Sequence, residues 1–382
     1  MARLLRPALA ATAASLALAS SAHAFGVTGY VLVGQGHDAK VIARAAGSVT
    51  DYGIDGATLA KDGGSFEVPA TATAGLAAAH AAGKPASLLL SNYDDDLQDF
   101  SPKNASGLFN DPAHRAAVIA ALQAQVAAGW DGITLDLESL DPNDRDALTS
   151  FVTQLHAALP ATATLDIDVP AGTDPTDPYL KPFDLPSLAA QVDHVSLMAY
   201  DQHYAGGPAG PVGGLPWFRS VVAAATAQIP AGQLRVGVAG YGYRWRKGKP
   251  TVTVSVKQAR KLAGKRAHWN AKQGEWNATL PNHTTLWWSD RRSVAARRAI
   301  AVAAGAQGIA EWELTSADPL PTLAVTPTPV APSPTPTPTP TPVCPATASA
   351  AAARIVACPL AAAAVDATGS CPCPGPIRAP TA

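Results

Sequence analysis

Eight short runs of β-branched and apolar residues recur between Phe25 and Leu323, separated by longer alanine-rich stretches with helical spacing. Regular alternation of strand and helix predicts βα units that build a parallel sheet. Eight units within about 300 residues favour an α/β fold of the (β/α)8 barrel type, and an open doubly wound sheet is the alternative. The predicted strands are residues 29–33, 49–54, 87–91, 132–137, 164–169, 194–199, 234–239 and 308–312.

Helices are predicted where the alanine-rich stretches carry start and stop signals. Asp111 and Asp290 stand at N-cap positions, and Gly129 and Gly305 stand where a helix should end. The clearest helices are residues 111–129, 143–159, 215–229 and 290–305. Residues 246–286 separate strands seven and eight, and their β-type residues predict a small strand pair inserted into the barrel.

The first 24 residues have the pattern of a secretory signal peptide. Arg3 and Arg6 precede an alanine- and leucine-rich run, and Ala22-His23-Ala24 matches an A-x-A cleavage site. The apolar run is shorter than the roughly 20 residues that span a bilayer. We therefore expect a secreted protein, extracellular or associated with the cell envelope, that keeps no stable membrane anchor after cleavage.

The C-terminal part of the chain differs in composition from the rest. Residues 326–342 alternate threonine and proline, which favours an extended, semi-rigid linker. The tail of residues 343–382 holds all four cysteines, for which three disulfide pairings are possible. We expect this tail to be poorly ordered, so the predicted catalytic domain is residues 25–325.

Charge and motifs exclude several classes of function. Lys+Arg of 28 against Asp+Glu of 29 leaves a net charge of -1, without the basic stripe that nucleic-acid binding needs. Gly34-Gln35-Gly36 only partly matches a dinucleotide fingerprint, and Asp94-Asp95-Asp96 is better explained as a solvated loop than as a calcium site. The sequence contains no H-E-x-x-H or G-x-S-x-G motif. We expect a monomer that uses no cofactor and no metal.

The fourth predicted strand carries acidic residues at alternate positions. Because strand side chains alternate between faces, Thr134, Asp136 and Glu138 share the barrel interior. The two carboxylates lie about 7 Å apart along a strand, close enough for one to stay protonated near neutral pH. They stand at the C-terminal strand end, where barrel enzymes carry their chemistry.

The segment DGITLDLE at residues 131–138 resembles the D-G-x-D-x-D-x-E signature of glycoside hydrolase family 18, the chitinase-like family. Further motifs are similar to that family in the right order, and their details resemble its spore-cortex and peptidoglycan-hydrolase branch. These motifs are SNY at residues 91–93, MAYD at 198–201, GVAGYGYRW at 237–245, WWSD at 287–290 and Trp312 at the end of the eighth run.

The resemblance implies a retaining, substrate-assisted glycosidase acting on β-1,4 linkages of chitin or peptidoglycan. It implies that Glu138 is the general acid and that Asp136 and Tyr200 act on the substrate acetamide. It further implies a sugar stacked on Trp312. The predicted substrate-binding residues are Trp312, Asp201, Met198, Thr134, Asn92, Tyr241 and Tyr243.

Three points stay open in the sequence. Thr134 replaces the first interior aspartate of the family signature, so a glycan-binding lectin that has lost catalysis is the alternative function. Asp166 and Asp168 face the interior beside Asp136 and either tune the site, bind sugar hydroxyls or form buried ion pairs, for example with Arg244 or Arg246. Trp269 and Trp276 either line a sugar-binding groove or only pack against the barrel.

Overall fold

Eight parallel strands close into a barrel, as the alternation of strand and helix predicts. The computed structural model describes residues 25–174, 176–281 and 283–322. The first strand pairs with both the second and the eighth, which closes the sheet and excludes the open doubly wound alternative. The barrel strands are β1 (Gly26–Leu32), β2 (Asp51–Leu59), β3 (Ala86–Ser91), β4 (Gly132–Asp136), β5 (Thr164–Pro170), β6 (His194–Met198), β7 (Leu234–Ala239) and β8 (Gly308–Trp312).

Helices cover the outer face of this barrel. Asp111 and Asp290 cap helices as predicted, because each side chain accepts hydrogen bonds from two backbone N–H groups of the first turn. Gly129 and Gly305 follow their helices with φ of 113° and 72°, a conformation that glycine adopts without steric cost. The α-helices are α1 (Asp38–Ala45), α2 (Ala70–Ala81), α3 (Pro102–Asn110), α4 (Pro112–Ala127), α5 (Arg145–Ala158), α6 (Leu185–Ala189), α7 (Leu215–Thr226), α8 (Val256–Ala263) and α9 (Arg291–Ala303).

Alternation of side chains along the strands separates the core from the barrel interior. On β4, Ile133 and Leu135 face the helices and are fully buried. Their neighbours Thr134 and Asp136 face inward. The apolar core therefore lies between strands and helices, and the interior is left for polar side chains.

The second strand is longer than the sequence predicted. The predicted run ended at Ile54, but β2 continues to Leu59 through Asp55 and Gly56. An aspartate and a glycine have low strand propensity, and pairing with the neighbouring strands on both sides overrides it here. This extension brings Asp55 to the C-terminal end of the barrel.

The insertion between β7 and β8 is larger than the predicted strand pair. It is a five-stranded antiparallel sheet with α8 packed on it, and it begins at Tyr241 rather than near residue 246. The aromatic run after Gly240 lies outside both the predicted strand seven and the predicted insertion, and it forms the first strand of the new sheet in chain order. The sheet strands, in spatial order, are Val252–Ser255, Tyr241–Arg246, Thr284–Trp288, Glu275–Thr279 and His268–Asn270.

A buried ion pair fastens the insertion to the barrel. Glu275 of the insertion is fully buried and accepts a hydrogen bond of 2.6 Å from Arg297 of α9. It also accepts from the backbone N–H groups of Val212 and Gly213, at 2.8 Å each. One carboxylate therefore joins the insertion, α9 and the loop after β6.

Several predictions fall outside the described residues. These concern the signal peptide of residues 1–24, the linker of residues 326–342 and the cysteine-containing tail of residues 343–382. Within the part of the chain that the structure describes, no helix has the length and apolar character needed to span a membrane.

Candidate active site

The acidic residues of β4 lie where the alternation predicts. Asp136 is 6% exposed and faces the barrel interior at the end of the strand. Glu138 follows two residues later and is half-buried. Both line a cleft of about 830 Å³ at the C-terminal end of the barrel.

The cleft combines acidic and aromatic side chains. Of the residues predicted to be catalytic or substrate-binding, the structure brings Glu138, Asp136, Tyr200, Asp201, Met198 and Trp312 to its surface. The other lining residues are Leu32, Val33, Asp55, Gly56, Thr58, Pro69, Thr71, Ser91, Tyr93, Asp95, Phe100, Asp168, Pro170, Ala171, Asp177, Tyr179, Leu180 and Trp217. No lysine, arginine or histidine is among these described residues.

Burial in this acidic cleft favours the protonated form of both key carboxyl groups. Burial, followed by the charges of Asp168, Asp201 and Asp99, raises the pKa of Glu138 to about 8. Burial and the charge of Glu138 likewise raise the pKa of Asp136 well above its ordinary value. Glu138 is therefore an acid that still holds its proton at neutral pH.

The main chain of Glu138 is held by one buried amide. Its N–H donates to Oδ1 of Asn92 at 2.8 Å, and its carbonyl accepts from Nδ2 of Asn92 at 2.8 Å. The same Nδ2 also donates to the carbonyl of Ser101 at 3.0 Å. Asn92 is fully buried and thus fixes the position of Glu138 from behind.

Asp201 is held by two tyrosines that extend from the insertion sheet. The hydroxyl groups of Tyr241 and Tyr243 donate to its Oδ1 at 2.6 and 3.0 Å. Burial raises the pKa of Asp201 to about 6, although the two tyrosine hydrogen bonds oppose the shift. Tyr200, the preceding residue, lies against Tyr241 edge to face, with ring centroids 6.4 Å apart.

Trp312 closes the other side of the cleft. It stands at the end of β8 and packs against Tyr30 of β1, with ring centroids 5.6 Å apart. Its ring remains half-buried rather than fully buried. A flat apolar surface is therefore available beside the two carboxyl groups.

Four residues predicted to bind substrate lie behind the cleft surface. Thr134 hydrogen-bonds with Ser87 Oγ at 2.7 Å inside the barrel, and Asn92 is occupied by the backbone of Glu138. Tyr241 and Tyr243 direct their hydroxyl groups to Asp201. The polar groups of these four residues have protein partners, and their contact with substrate stays a prediction.

The two interior aspartates of β5 have different surroundings. Asp166 lies near the N-terminal end of the barrel and pairs with Arg235 at 3.3 Å and with His194 at 2.9 Å. The ion-pair partner is thus Arg235 of β7 rather than Arg244 or Arg246, because only Arg235 points into the barrel. Asp168 lies one layer higher, lines the cleft and accepts a hydrogen bond from Tyr30.

Trp269 and Trp276 are not among the residues that line the cleft, which favours the packing interpretation over the groove wall. Trp276 stacks on Trp288 and donates from Nε1 to Asp290 at 2.9 Å. Trp269 packs on Trp276, and the guanidinium of Arg292 lies 4.0 Å above its ring. Both rings therefore serve packing within the insertion and against the start of α9.

Sequence reasoning missed Asp55 as a site residue. It lines the cleft, burial and then the charge of Glu313 raise its pKa to about 6, and its charge acts on Asp136. The alternation of side chains could have identified it, since Asp51, Gly53 and Asp55 share one face once the second strand is extended. Because the predicted strand ended at Ile54, Asp55 was not assigned to that face.

Comparison with known proteins identifies the family of the chain. A family model described as glycosyl hydrolases family 18 matches residues 97–318, more than half of the chain. The chain belongs to this family. The matched segment includes Asp136, Glu138, Tyr200 and Trp312, whereas the cleft residues from Leu32 to Asp95 precede it.

Individual proteins of family 18 and its relatives are similar to the chain over part of their length. YdhD of Bacillus subtilis is 29% identical over 229 residues, which is 56% of this chain and 54% of YdhD. The chain spans about half the length of the sequence relatives it matches.

Two solved structures show the fold. The spore cortex-lytic enzyme SleL of Bacillus cereus aligns with a TM-score of 0.71 and 21% identity, covering 78% of this chain and 72% of SleL. A chitinase of Chromobacterium violaceum aligns with a TM-score of 0.70 and 23% identity, covering 77% of this chain and 95% of the chitinase. The chain therefore shares its fold with these proteins.

Proposed function

We propose that this protein is a retaining glycosidase that cleaves β-1,4 linkages next to N-acetylglucosamine by substrate-assisted catalysis. The observation that carries the proposal is the position of Glu138, which lines the cleft beside Asp136, Tyr200 and Trp312 and whose pKa is raised by burial. Membership of family 18 supports it. Substrate-assisted members of this family are exceptions to the scheme in which a second carboxylate is the nucleophile.

Glu138 acts as general acid in the first step. It gives its proton to the glycosidic oxygen while the bond from that oxygen to the anomeric carbon breaks. The acetamide oxygen of the same sugar forms the new bond to the anomeric carbon, which produces a positively charged oxazolinium ion. In the second step Glu138 takes a proton from water, and the water oxygen displaces the acetamide oxygen, so the configuration is retained.

Asp136 and Tyr200 act on the acetamide during these steps. Oδ1 of Asp136 is buried and has no hydrogen-bond partner among the described residues, so it is free to accept from the acetamide N–H. Burial raises the pKa of Asp136, and in its ionised form this residue balances the positive charge that develops on the acetamide nitrogen. The hydroxyl of Tyr200 donates to the acetamide oxygen and orients it toward the anomeric carbon.

Trp312 offers its ring face to the apolar side of the pyranose. Met198 and Asp201 lie on the same cleft surface and complete the sugar-binding site. The support of Asp201 by two tyrosines keeps its carboxylate in one orientation for the sugar.

The negative charge of the cleft lining affects which substrate can bind. The lining contains six acidic side chains other than Glu138 and no basic one among the described residues. A neutral N-acetylglucosamine polymer such as chitin therefore fits better than a glycan strand with free carboxylates, which the acidic lining would repel. Peptidoglycan whose lactyl carboxyl groups are blocked as amides remains within this class, in line with the similarity to the cortex-lytic enzyme SleL.

The proposed place of action is outside the cell or in its envelope. The signal-peptide pattern of residues 1–24 supports export, and an N-acetylglucosamine polymer is a substrate found there. A monomer is sufficient, because every proposed catalytic group comes from one chain.

The decisive experiment compares the parent with Glu138→Gln on chitin oligomers and on peptidoglycan, with products identified by mass spectrometry. The variant should keep its fold and lose turnover by about 10²–10⁴-fold, because the amide has the same shape and no acidic proton. Glu67→Gln makes the same chemical change at an exposed surface position and should match the parent. Equal turnover by Glu138→Gln and the parent would end the proposal, and binding without any product from the parent would indicate a lectin instead.

A further inference from the structure

Asp168 is a third buried carboxyl group of the site, and neither the family signature on β4 nor the mechanism above uses it. It lies on the interior face of β5, is 4% exposed and lines the cleft. The hydroxyl of Tyr30 donates to its Oδ1 at 2.7 Å. Tyr30 itself is buried, so this hydrogen bond lies away from solvent.

Strand register places Asp168 beside Asp136. Leu135 of β4 pairs with Ile167 of β5, so the next residue on each strand occupies the same level of the barrel. Neighbouring strands lie about 4.8 Å apart, and both side chains point inward. Thr134, the position at which the family signature has its inner aspartate, carries no charge. Thr134 is level with Asp166, and Asp168, one layer higher, is the carboxyl group of the adjacent strand at the level of Asp136.

The groups around these carboxyls come from several elements. Asp168 faces Tyr30 of β1, Ser196 of β6, Asp166 of its own strand and Arg235 of β7. Glu138 faces Asp168, Asp201 from the loop after β6, and Asp99 from the loop after β3. Among the charged neighbours of Glu138, Asp168 has the largest effect. The charge of Asp168 also contributes to the raised pKa of Tyr200 and of Asp136.

We propose that Asp168 is a positioning residue of this site, whose negative charge, held in place by the Tyr30 hydroxyl, keeps the proton on Glu138. The inference rests on the proposed function, in which Glu138 must be protonated to act. Ionised Asp168 makes ionisation of Glu138 unfavourable, since two negative charges would then lie close together in a buried cleft. In this role Asp168 acts through Glu138 and takes part in no bond that forms or breaks.

The hydrogen bonds of Asp168 agree with this role. Burial raises the pKa of Asp168 to about 7, and the hydrogen bonds from Tyr30 and Ser196 oppose this shift, so they favour the ionised form of Asp168. The negative charge of ionised Asp168 in turn favours the proton on Glu138. Loss of the Tyr30 hydrogen bond removes one interaction that favours the ionised form of Asp168.

The first test is the pH profile of kcat/KM for Asp168→Asn. The variant keeps the size of the side chain and removes the charge, so the alkaline limb should move to lower pH by about one unit. Tyr30→Phe should move the limb in the same direction by less, because it only raises the pKa of Asp168. Asp95→Asn removes one acidic group from the exposed rim of the same cleft and should leave the limb in place, since solvent screens its charge.

The second test needs no substrate and separates this inference from the proposed function. The chain has five glutamates, at positions 67, 138, 275, 311 and 313, so carbon-13 labelling of glutamate carboxyl groups gives few resonances. The resonance missing in Glu138→Gln identifies Glu138, and its titration midpoint should fall by about one pH unit in Asp168→Asn and stay constant in Asp95→Asn. An unchanged midpoint in Asp168→Asn overturns the inference even if the enzyme is active. A lowered midpoint in a protein without glycosidase activity supports the inference and contradicts only the proposed function.

Discussion

The side-chain amide of Asn92 holds Glu138 by both of its main-chain groups, with hydrogen bonds of 2.8 Å in each direction. We predict that Asn92→Ala lowers kcat by about 10²-fold with little change in KM, because Glu138 loses its fixed position and not its chemistry. Unfolding should become easier by about 1–3 kcal/mol, since buried backbone groups lose their partner. Steady-state kinetics and urea unfolding measure both effects, with the exposed Asn143→Ala as control. An unchanged kcat would show that the amide does not position Glu138.

The position of the insertion tryptophans makes a prediction about long substrates. Trp269→Ala should leave the ratio of kcat/KM for long and short oligomers unchanged, because the ring packs against Arg292 and Trp276 instead of the cleft. Trp312→Ala, in contrast, should lower kcat/KM for both lengths by about tenfold or more, since the sugar loses its stacking surface. Kinetics on a series of oligomers decide the matter. A selective loss on long oligomers in Trp269→Ala would restore the groove-wall hypothesis.

The buried Glu275–Arg297 pair should be important for stability. Arg297→Met leaves Glu275 buried without its cation, which we expect to cost about 3–5 kcal/mol. The double variant Glu275→Gln/Arg297→Met should recover part of this loss, because glutamine still accepts from a backbone N–H and carries no charge. Lys61→Met breaks an exposed ion pair and should change the melting temperature little. If the double variant is no more stable than Arg297→Met, the unpaired charge is not the cause.

Glu311 should make stability depend on pH. It lies on the outer face of β8, is 1% exposed, and burial raises its pKa from 4.5 to about 8. Between these values the folded state keeps a proton that the unfolded state has lost, so stability falls as pH rises through this window. Glu311→Gln removes this contribution.

The melting temperature of Glu311→Gln relative to the parent should therefore rise by on the order of 5 °C between pH 5 and pH 9. Differential scanning calorimetry of both proteins at the two pH values measures it. Because only the change with pH matters, any constant effect of the buried amide cancels. The same difference at both pH values would mean that Glu311 ionises normally.

Local patterns in the sequence determined the barrel and the central acids of its site. Alternating strand and helix signals predict eight βα units. Because side chains alternate between the two faces of a strand, Asp136 and Glu138 are predicted to face the interior at the C-terminal end of the barrel. The N-caps at Asp111 and Asp290 are equally local. Each of these features depends on residues only a few positions apart, which is why composition and spacing are sufficient.

Only the tertiary structure decided which distant residues meet. Asn92, which follows β3, hydrogen-bonds with Glu138, which follows the neighbouring strand β4. The register of β4 and β5 places Asp168 level with Asp136. Glu275 of the insertion pairs with Arg297 of α9. Sequence spacing contains no information on these contacts, because barrel closure and strand register arise from the packing of the whole sheet. For the same reason the sequence allows Trp269 and Trp276 to be groove residues, whereas in the structure they pack near the start of α9, and the tryptophans that line the cleft are Trp217 and Trp312.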